Sequence, residues 1–303
     1  MAPATYFGPY AENYSDYASN GNANLGRWPL GHTLVLPDGR VYRFSLNDST
    51  VEVAGNLYQG VAALAGHTNR LVTTVAAIGA TAITATITTT TAAADIYAEG
   101  MVHVNDNTGQ GYSYRIRRAM AAGTAHASAA STATMTVNLD PGESVKVALD
   151  TTSEVTFTRN RFHQVTIHVS PPTALLSGVS PGVAAADRFY WSQTHGYAAV
   201  LANLTLLAGL PVQPDIATDG AVESFKRRMQ INATGSVLTA GANFRAAIVD
   251  QDGTDLALFA VTSVSTTQVF DITGGIANNA PIIGICVKAN ASTDYAIVDL
   301  RVL

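Results

Sequence analysis

The sequence predicts an all-β protein: several small antiparallel barrels or sandwiches in series, preceded by an extended N-terminal arm. Three observations lead to this fold class. Apolar and polar residues alternate with a period of two in several segments, and turn signals rich in Gly, Pro, Asp and Asn separate those segments. No stretch keeps the period of an amphipathic helix over several turns.

Residues 1–70 are predicted to form the arm and a hairpin. The arm holds five aromatic residues that follow neither a strand period nor a helix period: Tyr6, Phe7, Tyr10, Tyr14 and Tyr17. Tyrosine suits contact surfaces because its ring is flat and amphipathic, so these are candidate interface residues. The arm either lies on a neighbouring subunit or packs on its own domain, and the sequence leaves both alternatives open.

The hairpin joins Thr33–Leu36 to Val41–Phe44 through a Pro-Asp-Gly-Arg turn, in which Pro fixes φ and Gly accepts a positive φ. Val51–Leu57 shows a weaker strand pattern. Tyr58–Leu71 is compatible with a short helix, although its two glycines disfavour one.

Residues 71–170 are predicted to form a β-barrel or sandwich. In Ala82–Thr90 isoleucine and alanine alternate with threonine, and Thr134–Leu139 alternates in the same way. Further strands are expected at Met101–Val104, Tyr112–Ile116, Val145–Leu149, Val155–Thr158 and Val165–Val169. Short strands separated by turn signals are typical of a small barrel or sandwich.

Residues 171–303 are predicted to form a C-terminal β domain with a β insertion at about 224–280. The segment ADRFYWSQTHGYAAVL, Ala186–Leu201, is the most aromatic outside the arm. Its pattern predicts two short strands around a turn at His195-Gly196. Because no catalytic signature passes through it, we interpret it as a packing and docking element.

Two more features define the C-terminal domain. A hairpin is expected between Phe244–Val249 and Leu256–Val261, closed by Asp-Gly. In the last strand, Ala296–Val302, apolar residues alternate with Ile, Asp and Arg, so Leu300 is predicted to face the core.

The composition is poor in charge, with 13% charged and 47% hydrophobic residues in a chain of 303. The charged share is about half the usual one, so much of the surface is either neutral polar or buried against partners. The net charge of −5 argues against a nucleic-acid partner, and no apolar run is long enough to span a membrane. Met1–Gly8 lacks the features of a signal peptide, so we expect synthesis in a cytoplasm.

No pattern of catalytic or metal-ligating residues stands out, so we expect neither an enzyme nor a bound cofactor. His163 and His168 lie five residues apart, which places them on opposite faces of a strand and excludes a shared metal there. The only cysteine, Cys286, is expected in the core. The carboxylates are scattered, which leaves a glycosidase pair as an open alternative.

Two basic clusters are candidate interface residues: Arg115, Arg117 and Arg118, and Lys226, Arg227 and Arg228. Each cluster is either a solvated surface or a partner for an acidic group on a neighbouring subunit. Neither interleaves with aromatic residues as a single-strand nucleic-acid platform would.

Three parts of the sequence carry a resemblance to a known class of proteins. They are LGHTLVLPDGRVYRF (30–44) with VAGNLYQ (53–59); YAEGMVHVNDNTGQGYSYRIR (97–117); and ADRFYWSQTHGYAAVL with GLPVQPDIATDGAVE (209–223) and the last 23 residues. These parts resemble virion structural proteins of tailed phages, including cyanophages. The resemblance does not cover 224–280.

The resemblance implies a capsid cement or decoration protein that binds the major capsid protein on the outer surface of the shell. Such a protein would act as a trimer and would be made in the cytoplasm of the host bacterium. It carries over no site residues. Two alternatives remain: a tail or fibre component that binds a host surface, which would need an exposed aromatic groove, and a carbohydrate-active enzyme, which would need two carboxylates facing each other across a cleft.

Overall fold

The computed structural model describes residues 6–7, 28–120, 123–203, 205–225, 232–234, 245–249, 255–260, 267–269, 283–288 and 295–302. These residues form strands, turns and bends, and none of them lies in a helix. The predicted all-β class is therefore confirmed. Within the same residues there is no helix long and apolar enough to cross a membrane.

The strands, in chain order, begin with β1 (Tyr6–Phe7), β2 (Thr33–Val35), β3 (Val41–Leu46), β4 (Leu57–Gln59), β5 (Arg70–Leu71), β6 (Ala82–Thr86), β7 (Met101–Asp106), β8 (Ser113–Arg115), β9 (Thr134–Asn138), β10 (Glu154–Thr158) and β11 (Thr166–Ile167). They continue with β12 (Leu176–Val179), β13 (Phe189–Leu201), β14 (Pro211–Pro214), β15 (Val222–Ser224), β16 (Asn232–Thr234), β17 (Arg245–Val249), β18 (Asp255–Ala260), β19 (Thr267–Val269), β20 (Gly284–Lys288) and β21 (Tyr295–Arg301).

The principal sheet contains eleven strands in the order β1-β2-β3-β13-β21-β20-β14-β15, with β4, β11 and β12 attached beside β13. Its pairings are antiparallel except for β1 with β2. The sheet joins strands from the first predicted range, 1–70, to strands from the last, 171–303. Hydrogen bonding therefore groups the chain differently from the three consecutive domains that the sequence suggested.

A second unit is inserted between β4 and β11. It contains one sheet of order β5-β10-β7-β8 and the pair β6-β9, which close over a shared hydrophobic core. The predicted alternation is present in β6, where Ile83 and Ala85 are fully buried, whereas Thr84 and Thr86 are half-buried. The segment at 145–149 contributes a single bridge, Ala76 to Leu149, and not the strand that was expected.

The short helix with which Tyr58–Leu71 was compatible does not form, as its two glycines had indicated. The segment begins in β4, passes through turns and ends in β5. Gly66 explains the turn, because it adopts a φ of +79° and a Cβ there would lie 1.9 Å from the carbonyl oxygen of Thr88. Only glycine tolerates both the conformation and the close approach.

The prediction of two strands around a turn at His195-Gly196 is wrong, because β13 runs unbroken from Phe189 to Leu201. The local distortion is a register shift between Gln193 and His195, followed by Gly196 at a φ of +81°. The Gln193 side chain donates hydrogen bonds to the carbonyls of His195 (3.1 Å) and Tyr197 (3.0 Å). A β-bulge thus replaces the turn, and the strand continues.

The C-terminal strand lies in the core as predicted. Val298, Leu300 and Val302 are buried in a cluster that also contains Cys286, while Ile297 on the opposite face is partly exposed. The hairpin predicted in the insertion is present as β17 paired with β18. Lys226, Arg227 and Arg228 lie outside the described residues.

Candidate docking surface

The aromatic residues at the start of β13 form the core of the principal sheet. Phe189 and Trp191 are fully buried; Trp191 packs on Trp28 and on Phe44, each at a ring-centroid distance of 5.1 Å, and Phe44 stacks on Phe189 at 5.2 Å. Their burial holds the segment before β2 against the sheet. The first half of the aromatic segment therefore serves packing.

The second half of β13 reaches the surface. Tyr197, paired with Asp299 of β21, is 65% exposed, whereas its neighbour Ala198 is buried. Tyr197 lines an open groove of about 700 Å³, which we call the Tyr197 groove; its other lining residues are Asp38, Gly39, Arg40, His195, Gly196, Asp299, Leu300 and Arg301. Tyr197 and Arg40 also line an adjacent cleft of about 460 Å³.

The shape of the groove depends on the bulge in β13. A Cβ at Gly196 would lie 3.0 Å from Cγ and 3.1 Å from Cα of Arg40, so glycine lets the β2–β3 turn approach the strand. Arg40 is held there by Asp38 at 2.6 Å and by the hydroxyl of Tyr42 at 2.9 Å. The signal in the sequence was a glycine within a strand pattern, which marks a bulge or a close backbone contact as readily as a turn.

The carboxylates of the groove are neutralised by arginines of the same chain. Asp299 lies 3.6 Å from Arg301, and Asp38 pairs with Arg40. Although burial alone would raise it, hydrogen bonds from the backbone and guanidinium of Arg40 hold the pKa of Asp38 below its ordinary value. An acid held in its ionised form does not suit the general-acid role that a glycosidase requires.

A small apolar surface lies where two extended segments are joined by a bridge. Val51, Val53 and Val183 are exposed by 59%, 49% and 61%, and we call them the valine patch. Glu52 and Ala184 form an antiparallel bridge between the two segments, with the Glu52 N–H donating to the Ala184 carbonyl at 2.8 Å. Because neighbouring side chains of an extended segment point to opposite faces, the valines face outward and Glu52 faces inward.

Glu52 is a buried carboxyl under the valine patch. Burial raises its pKa to about 8, against the opposing effect of the nearby Tyr190 and Ser180 hydroxyls. The carboxyl is therefore protonated at neutral pH. Glu52 lines neither the Tyr197 groove nor the cleft adjacent to that groove. We therefore regard it as a core residue.

Two of the three arginines near residue 115 bind an acidic group of their own chain. Glu99 is buried and lies 3.1 Å from Arg118 and 3.7 Å from Arg115, and it accepts the Leu30 N–H at 2.8 Å. Burial raises its pKa to about 7, and Arg118 opposes this rise. Arg118 also donates to the Trp28 carbonyl at 3.0 Å. These contacts fasten the segment before β2 to the inserted unit.

The arm is described only at Tyr6–Phe7, whose strand pairs in parallel with β2 of the same chain, Tyr6 opposite Leu34 and Phe7 opposite Val35. The remaining arm aromatics, Tyr10, Tyr14 and Tyr17, lie outside the described residues.

The buried histidines take part in the internal hydrogen-bond network of the fold. His126 Nε2 accepts the Tyr97 N–H at 3.1 Å, and its Nδ1–H donates to the Ala127 carbonyl at 2.9 Å. His163 is fully buried, and burial lowers its pKa to about 3. Among the described residues no group of three or more His, Cys, Asp or Glu side chains is arranged to hold a metal ion.

Comparisons of the chain with protein-family models, with curated proteins and with solved structures found no match.

Proposed function

We propose that this protein is a capsid cement protein, which binds the outer surface of a tailed-phage head and bridges neighbouring major capsid subunits. The resemblance of residues 30–44, 53–59, 97–117, 186–201, 209–223 and 281–303 to virion structural proteins supports this proposal. The low charged content supports it as well, since a surface poor in charge loses little solvation when it is covered.

The valine patch is the observation that carries the proposal. Exposed apolar groups that cluster on the surface are typical of protein interaction sites, and Val53 and Val183 flank the bridge between Glu52 and Ala184. Binding through this patch would remove apolar surface from water and would need no chemical step. The partners of such a protein are the major capsid protein and two further copies of itself, its location is the exterior of the virion, and it is not an enzyme.

The proposal is tested by the binding of the purified protein to phage heads assembled without it, measured by co-sedimentation. The variant Val53→Asp/Val183→Asp should bind at least about tenfold more weakly, because burying two valines contributes roughly 1.5–3 kcal/mol each. The variant Val75→Asp/Ile78→Asp is a matched control, since both residues are at least as exposed as the tested pair but lie in the inserted unit.

Wild-type protein that does not sediment with the heads would overturn the proposed function. Binding of the valine-patch variant at wild-type strength would show that another surface docks.

A second candidate is a tail or fibre component that binds a host surface, and the Tyr197 groove favours it. An exposed aromatic ring flanked by two Asp–Arg pairs offers a stacking face together with fixed hydrogen-bond donors and acceptors. Immunogold labelling of virions separates the candidates: label on the head supports the cement protein, and label on the tail supports the host-binding component.

A further inference from the structure

A third cleft, distinct from the Tyr197 groove and its neighbour, lies where the inserted unit meets the principal sheet. It encloses about 230 Å³, and we call it the arginine cleft. Its inner wall includes Arg159, Arg161, Thr158 and Thr173, and its rim includes Leu175, which is 69% exposed. Among the described residues that line it, none is acidic.

Arg159 carries a positive charge that the described part of the chain does not neutralise. Its Nη1 donates to Gln164 Oε1 at 3.3 Å, its Nε is buried without a hydrogen-bond partner, and no carboxylate of the described residues forms an ion pair with it. Burial lowers the pKa of its guanidinium, and its charge contributes to lowering the pKa of His67, His126 and His163.

A second arginine, Arg161, also lines the cleft. Arg161 donates to the Leu176 carbonyl at 2.7 Å, and its guanidinium lies 4.9 Å from the centroid of the Phe162 ring. These contacts fix the orientation of the Arg161 guanidinium at the cleft. The positive charge on which the argument depends is that of Arg159, and Leu175 adds an apolar side chain at the rim.

A partly desolvated cation without a counter-charge is unfavourable, and an anion that enters the cleft removes that penalty. A carboxylate matches the planar donor fork of arginine, and the volume of the cleft admits one acidic side chain. The apolar rim suits a neighbouring aliphatic side chain of the same ligand.

We propose that the arginine cleft binds a carboxylate of a partner polypeptide, presented next to an aliphatic side chain. Arg159 is the residue that pairs with the carboxylate, and Leu175 contacts the aliphatic neighbour. The inference is independent of the proposed attachment to a phage head, because it rests on a different surface.

The test uses the full-length protein and a capped peptide, Leu-Glu-Leu, with Leu-Gln-Leu as the uncharged counterpart and inorganic phosphate as a third probe. Binding is followed by the ¹H–¹⁵N signal of the Arg159 Nε–H and by the shift in melting temperature. The glutamate peptide should bind saturably and about tenfold or more tightly than the glutamine peptide, since the lost contact is a charge-assisted hydrogen bond.

Arg159→Gln should abolish this preference, whereas Arg70→Gln should retain it. Arg70 is a matched control because it lies in the same inserted unit and hydrogen-bonds to Thr68 and Thr88 but does not line the cleft. Equal binding of both peptides, an Arg159 signal that does not move, or a response to phosphate alone would overturn the proposal. Because the two peptides are compared on wild-type protein, the result stands even if Arg159→Gln does not fold.

Discussion

At the scale of single residues, backbone hydrogen bonds keep the buried rings of His126 and His168 neutral. In His168, Nδ1 accepts the Gly220 N–H at 2.8 Å and the Nε2–H donates to the Asp215 carbonyl at 3.1 Å. His126 is held by the same kind of bonds with its two nitrogens exchanged. In each ring one nitrogen must remain unprotonated to accept a backbone N–H, so both are neutral in the folded state.

We expect the protein to lose stability in mild acid. All seven histidines have pKa values lowered by burial in the folded state, so below about pH 6.5 the unfolded chain binds more protons. The raised pKa values of Glu52 and Glu99 have the opposite effect on stability, but two carboxyls oppose seven histidines. The free energy of unfolding, measured with urea, should fall by on the order of 1 kcal/mol per pH unit between pH 6.5 and 5.

An unfolding free energy that stays constant or rises from pH 6.5 to 5 would contradict this assignment of neutral histidines. The ¹⁵N shifts of the His126 and His168 rings at pH 6 provide a second check, because both should show the neutral form.

Glu52 predicts the opposite pH dependence. Its pKa rises from an ordinary 4.5 to about 8 in the folded state, so its contribution to stability is present below pH 4.5 and is lost as the pH rises to 8. The Glu52→Gln variant replaces the titratable carboxyl by an uncharged amide of nearly the same shape. Relative to wild type, this variant should gain up to about 1.4 kcal/mol per pH unit between pH 5 and 8. A difference that does not change with pH would show that Glu52 is ionised in the folded protein.

At the scale of strands, the C-terminal strand offers the simplest test of packing. Leu300 is 1% exposed within the core behind β13 and β21. Leu300→Ala should destabilise the protein by about 2–5 kcal/mol, as the loss of a buried leucine does elsewhere. Asp299→Asn on the opposite face should cost far less, since Asp299 is partly exposed and its ion pair with Arg301 lies at the surface. Equal melting temperatures for Leu300→Ala and wild type would place β21 outside the core.

The strands that could be predicted from sequence are those with local patterns. The β2–β3 hairpin follows from its turn residues, and the pairing partners β6 and β9 each show the period of two. The bulge in β13 could not be predicted, because the residues His-Gly suit a turn equally well and the Gln193 bonds that support the bulge exist only in the folded sheet.

The candidate binding sites were harder to predict than the strands, because they depend on contacts between residues that are far apart in the sequence. Glu99 meets Leu30 across 69 residues of sequence, and nothing local in either segment indicates that the arginines near residue 115 are used within the chain. The sequence did not indicate Arg159 as a binding residue, because whether a carboxylate lies near its guanidinium depends on the folded structure. In contrast, the aromatic segment at 186–201 was correctly recognised as important for packing, since Phe189 and Trp191 are buried.

At the scale of the whole molecule, the described strands connect the beginning and the end of the chain in one sheet, with the second unit inserted between them. Tyr197 lies on β13 in the middle of this sheet, whereas the valine patch lies on two segments joined by the bridge between Glu52 and Ala184.

We expect the isolated protein to be a homotrimer, on the basis of its low charge and of its resemblance to cement proteins. Light scattering should give three times the chain mass of 31.6 kDa. A monomer at micromolar concentration and on the virion would exclude this assembly.

The central claim is attachment to the outside of a phage head, and an electron-microscopy reconstruction of the virion tests it most directly. The proposal predicts density for this all-β chain on the outer surface of the head, in contact with at least two major capsid subunits and with Val53 and Val183 in the contact. Density on the tail, inside the shell, or nowhere on the virion would contradict it.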